Sequence, residues 1–187
     1  MLDVEIAVSY LFLFILAILI LFDRTGMLSI SLLAVICHEL GHIIALKRQN
    51  HSFTSVVLSI ATVKVTTAGI LNYKKSVFVA IAGPVVNMFL SFFVLVPVDL
   101  LQYFGAANII MFVFNMLPIK GLDGGDALKG LLIYLNLKKA QFLCNIVSLV
   151  STAVVIILGG LLFIATKENP TLLLVGIYLL ILSFNKI

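Results

Sequence analysis

Residues His38-Glu39-Leu40-Gly41-His42 lie inside an apolar run that extends from about Met27 to Leu46. A run of that length approaches a bilayer span, and in lipid a single segment satisfies its own backbone only as a helix. A helix places residues four apart on one face, so His38 and His42 can grip one metal ion together. Glu39 stands three residues before His42 and shares roughly that face. Two imidazoles and a nearby carboxylate suit zinc and a general base acting on water. Short H-E-x-x-H matches also arise by chance, and a histidine in a helical bundle is often simply hydrogen-bonded. Ionisable groups are costly inside a membrane, however. Three of them on one turn of an apolar segment therefore favour a metal site.

Composition sets the class. The chain has 187 residues, of which 63% are hydrophobic and 11% charged, with a mean hydropathy of +1.26. Those values describe an integral membrane protein rather than a water-soluble domain. The net charge of +4 does not point to nucleic acid, because the basic residues are spread between apolar segments and not gathered on one element. Cys37 and Cys144 both lie in apolar runs and imply no disulfide framework; both read as small packing residues. The N-terminus, Met-Leu-Asp-Val-Glu, lacks a basic region, which argues against a cleaved signal peptide.

Six apolar segments follow from length and flanks: about 6–22, 27–46, 76–98, 106–117, 140–165 and 170–184. The fourth is broken by Pro118, Gly121, Gly124 and Gly125 and resumes as an amphipathic half-helix to about 136. No linker or repeat interrupts the chain, so 1–187 reads as a single domain. The expected fold is an all-α polytopic membrane protein of six transmembrane helices. Its fourth helix is broken, and a short interfacial β element follows the second.

Orientation follows from the Lys/Arg bias. With six spans, one side carries Lys47, Arg48, Lys74, Lys75, Lys138, Lys139 and Lys186, and the other only Arg24 and Lys167. The positive-inside rule then places both termini in the cytoplasm. At about 1.5 Å per residue, the two histidines sit roughly 7–14 Å below the cytoplasmic boundary.

Residues 53–67 are rich in β-branched types with partial alternation, which favours one or two strands. Such a strand must lie at the interface or against protein. It either pairs with an extended peptide or only closes the fold, and the sequence leaves both readings open. His51 reads as a solvated loop residue.

Catalytic zinc usually takes three protein ligands and keeps one position open. After Glu39 the remaining acids are Asp99, Asp123, Asp126 and Glu168. Asp99 and Glu168 fall at the external ends of their segments, far from a site near the cytoplasm. Asp123 and Asp126 lie at the break in the fourth segment, where glycines let the backbone approach a metal closely and broken helix is tolerated only along a protein cavity. The competing reading is a helix cap, with Asp123 bonding the first turn of the half-helix.

His38-Glu39-Leu40-Gly41-His42, followed 81 residues later by Asp123, resembles the site-2 proteases, a family of intramembrane zinc metalloproteases. Ala82-Gly83-Pro84-Val85-Val86-Asn87 is similar to the family's A-G-P-x-x-N segment. Asn115-Met116-Leu117-Pro118 leading into Leu122-Asp123-Gly124-Gly125 is similar to its N-x-x-P…L-D-G signature. The resemblance spans about 38–125 and departs from it at two positions. Many members carry a second proline where this chain has Lys120, and Arg or His where it has Asp126. The resemblance implies that His38, His42 and Asp123 bind Zn2+, that Glu39 is the catalytic base, and that Asn87 or Asn115 contacts substrate. A buried asparagine can equally be interhelical glue.

No stretch is long enough for a PDZ insertion, and no CBS domain follows the last segment. The compact form looks most like the stage IV sporulation protein FB branch. That branch implies a bacterial membrane, a membrane-associated substrate of the pro-sigma factor kind, and a membrane regulatory or inhibitor partner. A non-catalytic protein that binds or moves metal is the alternative. It predicts several ligand sets along a path, whereas the sequence carries one intramembrane cluster. A membrane metalloprotease with a Glu as third ligand is disfavoured, since no acid of that kind stands between Glu39 and Glu168.

Overall fold

The computed structural model describes residues 5–8, 20–21, 23–49, 53–58, 63–67 and 72–185. Most of the first expected segment, together with His51 and Lys186, lies outside them. The elements are β1 (Glu5–Val8), α1 (Met27–Arg48), β2 (Phe53–Leu58), β3 (Val63–Thr67), α2 (Tyr73–Leu90), α3 (Asp99–Asn115), α4 (Asp123–Tyr134), α5 (Ala140–Thr166) and α6 (Thr171–Asn185). They group into two compact units, Met1–Asn72 with Ala82–Phe112 and Tyr73–Ile81 with Val113–Ile187.

In the first unit, Asp23 fixes the start of α1. Its Oδ2 accepts the Leu28 amide at 2.8 Å and the Ser29 amide at 3.4 Å, while Oδ1 accepts the Thr25 hydroxyl at 2.8 Å. The Thr25 hydroxyl foremost, with these amides, holds the Asp23 carboxyl below its ordinary value. Lys47 and Arg48 close the helix, where positive charge suits the last turn.

The β region contains more than the sequence suggests. Strands β2 and β3 pair antiparallel, and β1 adds to β2 in parallel, with Glu5 opposite Ser55 and Val8 opposite Leu58. The expected first helical segment, about 6–22, therefore begins as a strand. Its continuous apolar pattern fits a strand as well as a helix, and periodicity alone does not separate the two.

The third and fourth segments also divide differently from expectation. Helix α2 ends at Leu90 and tightens into a 3-10 turn over Ser91–Leu95. After Pro97, α3 starts at Asp99, seven residues before the expected 106. Asp99 in that first turn complements the helix dipole. Gly105 then lets α3 press against the 3-10 turn, since a Cβ there would meet the Val94 amide nitrogen at 2.2 Å.

The second unit is built around α5 and α6. Its core holds Ile119, Val155 and Leu179, with Phe114, Leu117, Leu122, Leu172 and Val175 packed against them. Helix α5 buries Ser148, Thr152 and Gly159 but exposes Phe142, Leu149, Ile157, Leu161 and Ile164. Small and polar residues inside with large apolar residues outside is the pattern of helices packed in lipid. The Ser148 hydroxyl accepts the Lys120 backbone N–H at 2.8 Å. That bond satisfies a donor freed where the chain leaves helix between α3 and α4. Cys37 and Cys144 are both free thiols.

Among the described residues, three stretches are long and apolar enough to cross a membrane: Met27–Arg48, Tyr73–Leu95 and Ala140–Thr166. With the outward-facing apolar surface of α5, they make this a membrane protein.

Candidate metal centre

Helix α1 carries His38, Glu39 and His42. Its buried stripe is Ala34, His38, Gly41 and Ala45, at helical spacing, and Leu33, Ile36, Leu40 and Ile44 face outward. The small residues let α2 come close. A Cβ on Gly41 would lie 2.8 Å from the Ala82 carbonyl oxygen and 3.0 Å from the Gly83 Cα. The glycine of the H-E-L-G-H pentad is thus the point of approach to the Ala82-Gly83-Pro84 segment.

Gly83 in turn clears space for both imidazoles. A Cβ there would stand 2.4 Å from His42 Nε2 and 2.9 Å from His38 Cε1. The two Nε2 atoms converge to 3.1 Å, and the rings meet edge to face at 82°. Two nitrogens on one tetrahedral zinc, each about 2.05 Å from it, stand about 3.3 Å apart. The spacing of the histidine pair is compatible with two donors to one metal ion, and both imidazoles belong to the first unit.

Asn87 lies four residues beyond Gly83, on the same face of α2. It is fully buried. Its Oδ1 accepts a hydrogen bond from His38 Nδ1, and its Nδ2 donates to Asn108 Oδ1 at 2.7 Å and to the Ala34 carbonyl at 3.4 Å. The sequence suggests Asn87 as a substrate contact, but the structure turns its amide onto the back of a candidate ligand. Metal-binding histidines are held in this way by their second ring nitrogen.

Glu39, half-buried, follows His38 on α1. Asn115 is the last residue of α3 and also half-buried.

In the second unit, Asp123 is the first residue of α4. The chain doubles back after Pro118, passes Gly121 at φ 96°, and restarts as helix. Gly124 and Gly125 make that reversal feasible, since Cβ atoms there would lie 2.3 Å from the Met116 oxygen and 2.1 Å from the Ile119 oxygen. Leu122, with extended backbone, holds the N-cap position, so Asp123 sits inside the first turn and is not itself the cap residue. There the helix dipole favours a carboxylate. Asp123 is half-buried and Asp126 exposed.

Asn108 was not singled out from sequence. Its signal was its spacing, seven residues before Asn115 and so on one face of α3.

No family model and no curated protein matches the sequence. The fold does find a counterpart. A Site-2 Protease from Methanocaldococcus jannaschii matches with a TM-score of 0.64 and 18% identity, over 99% of this chain and 91% of that one. The chain is thus a membrane protein with the fold of a site-2 protease.

Proposed function

We propose that the protein is an intramembrane zinc metalloprotease in which His38, His42 and Asp123 hold the metal and Glu39 is the catalytic base. The observation that carries this reading is the convergence of the two histidine Nε2 atoms, with Gly83 leaving their shared face clear. Asp123, the carboxylate that the site-2 protease resemblance assigns as third ligand, is the proposed partner of the two imidazoles. Zinc bound there would act as a Lewis acid on the scissile carbonyl and make water easier to deprotonate. Glu39 takes one proton from the attacking water and passes it to the leaving nitrogen as the carbon–nitrogen bond breaks. The water's oxygen stays on the new carboxyl group, so the peptide bond is hydrolysed and no other reactant is consumed. Asn115 is the proposed substrate contact, donating its amide hydrogens to the carbonyl under attack.

The span order extends the reading. Six spans, the fourth broken between Asn115 and Asp123, put both termini in the cytoplasm of a bacterial cell and the metal near that face. The substrate is then a membrane-associated regulatory protein cut in or near its transmembrane segment. A pro-sigma factor of sporulation is the specific candidate, with a membrane inhibitor as gating partner.

The test is Glu39→Gln in the purified full chain, with zinc and a transmembrane substrate. The variant should retain zinc and lose cleavage. Undiminished cleavage would end the protease mechanism, and loss of zinc would make Glu39 a ligand.

A further inference from the structure

We infer that Asn108 is a positioning residue for the metal centre: it orients the Asn87 amide, which fixes the proton of His38 on Nδ1 and leaves Nε2 bare. The inference rests on the proposal that His38 Nε2 is a ligand.

The direction of the hydrogen bonds is set from the far end. The Phe104 carbonyl can only accept, so the atom of Asn108 that stands 2.8 Å from it is the amide nitrogen. Asn108 Oδ1 must then face Asn87, and it accepts the Asn87 Nδ2 at 2.7 Å. The Ala34 carbonyl, 3.4 Å from the same nitrogen, imposes the same orientation independently. What remains toward the histidine is Asn87 Oδ1, a pure acceptor, so His38 Nδ1 must be the protonated nitrogen. In a neutral imidazole the other nitrogen then carries the lone pair. That nitrogen faces His42 Nε2 over the space that Gly83 leaves.

His38, Asn87 and Asn108 are all buried, the two asparagines completely. Water therefore does not compete for these bonds. Turning the Asn87 amide over would set its oxygen against two other oxygens, of Ala34 and Asn108. Without Asn108 one of those two obstacles is gone. The Asn87 NH2 group can then face His38 Nδ1, which moves the ring proton to Nε2, where it blocks the metal. Loss of such outer partners typically weakens metal binding about 10–100-fold.

A plain packing role for Asn108 between α2 and α3 would affect stability and leave the ring proton where it is. The experiment separates the two. The full chain in lipid nanodiscs, stripped of metal with a chelator and labelled with 15N-histidine, reports which nitrogen of His38 is protonated. Zinc affinity is then read by competition with a chelating dye. Wild type should show protonated Nδ1 and bare Nε2. Asn108→Leu should shift His38 toward the opposite tautomer and weaken zinc binding about 10–100-fold, with Asn108→Ala used if the leucine variant does not fold. Asn108→Asp, which in its protonated form donates its O–H to the Phe104 carbonyl and turns its other oxygen toward Asn87, should restore the wild-type signature. A wild-type His38 protonated on Nε2 overturns the inference whether or not any variant folds. So does an Asn108→Leu or Asn108→Ala protein with unchanged tautomer and unchanged affinity. Wild type that carries the Nδ1 proton but fails to bind zinc would sink the metal reading and leave the hydrogen-bond chain that sets the tautomer standing.

Discussion

Gly83→Ala isolates the metal centre from the fold. The added Cβ would lie 2.4 Å from His42 Nε2, 2.7 Å from its Cε1 and 2.9 Å from His38 Cε1. Ordinary contact needs about 3.5 Å, so the His42 ring must retreat by about 1 Å. Metal–ligand distances are held within about 0.2 Å, several times less than that retreat. Displacements of about 1 Å at a reacting centre cost about 100-fold, and a loss of that size in zinc affinity is expected here. Stability should change far less. Alanine improves helix propensity by about 0.8–1 kcal/mol, while overpacking costs about 1–3 kcal/mol, leaving a net loss within about 2 kcal/mol. The assay pairs zinc competition against a chelating dye with thermal unfolding of the metal-free chain. Gly160→Ala is the control, because nothing lies within 4 Å of a Cβ built there; it should leave zinc binding unchanged. A Gly83→Ala protein that binds zinc as wild type does would refute the idea that the two imidazoles share one ion beside this glycine.

Other outcomes follow from the remaining residues. Asp123→Ala should lower the zinc content of the purified protein far more than Asp126→Ala; the reverse order would move the ligand three residues along α4. Single cysteines at Ser52 and Gln102, in a background lacking Cys37 and Cys144, test orientation in intact cells with an impermeant thiol reagent. Only the Gln102 position should react, and labelling at Ser52 alone would invert the topology. Asp23 has a lowered carboxyl pKa, so its grip on α1 is complete above the unfolded value and is lost as pH falls through the folded one. Asp23→Ala should therefore speed hydrogen exchange at the Leu28 and Ser29 amides at neutral pH and abolish their acid sensitivity. Exchange that is unchanged would deny Asp23 that role.

Local periodicity made the helix that carries the two histidines legible. His38 and His42 are four apart in an apolar run with basic residues at its end, and α1 forms over Met27–Arg48. The restart at Asp123 was readable from Pro118 and the glycines, whose conformational roles are local. What stayed hidden depends on partners distant in sequence. Asn108 meets Asn87 from 21 residues away, and nothing in the flanking apolar residues marks which asparagines pair with one another. β1 was hidden for a similar reason. Its pairing with β2 joins residues about 50 apart, and a continuous apolar stretch read alone does not separate strand from helix. Gly83 was visible as part of a motif, but its purpose became clear only once two imidazoles were found against it.

The contact between α5 and α6 has a mechanical consequence. Gly159 receives the backbone of Leu173, where a Cβ would meet its nitrogen at 2.6 Å, and Gly176 receives Ile156, whose Cγ1 a Cβ would meet at 2.8 Å. Each helix thus offers one notch to a bulkier part of the other. Two notches of opposite sense key the pair like a double tenon. Sliding by one turn, about 5.4 Å, would bring both tenons against residues that carry a Cβ. The two notches therefore hold the hairpin in one register and oppose sliding of either helix along the other.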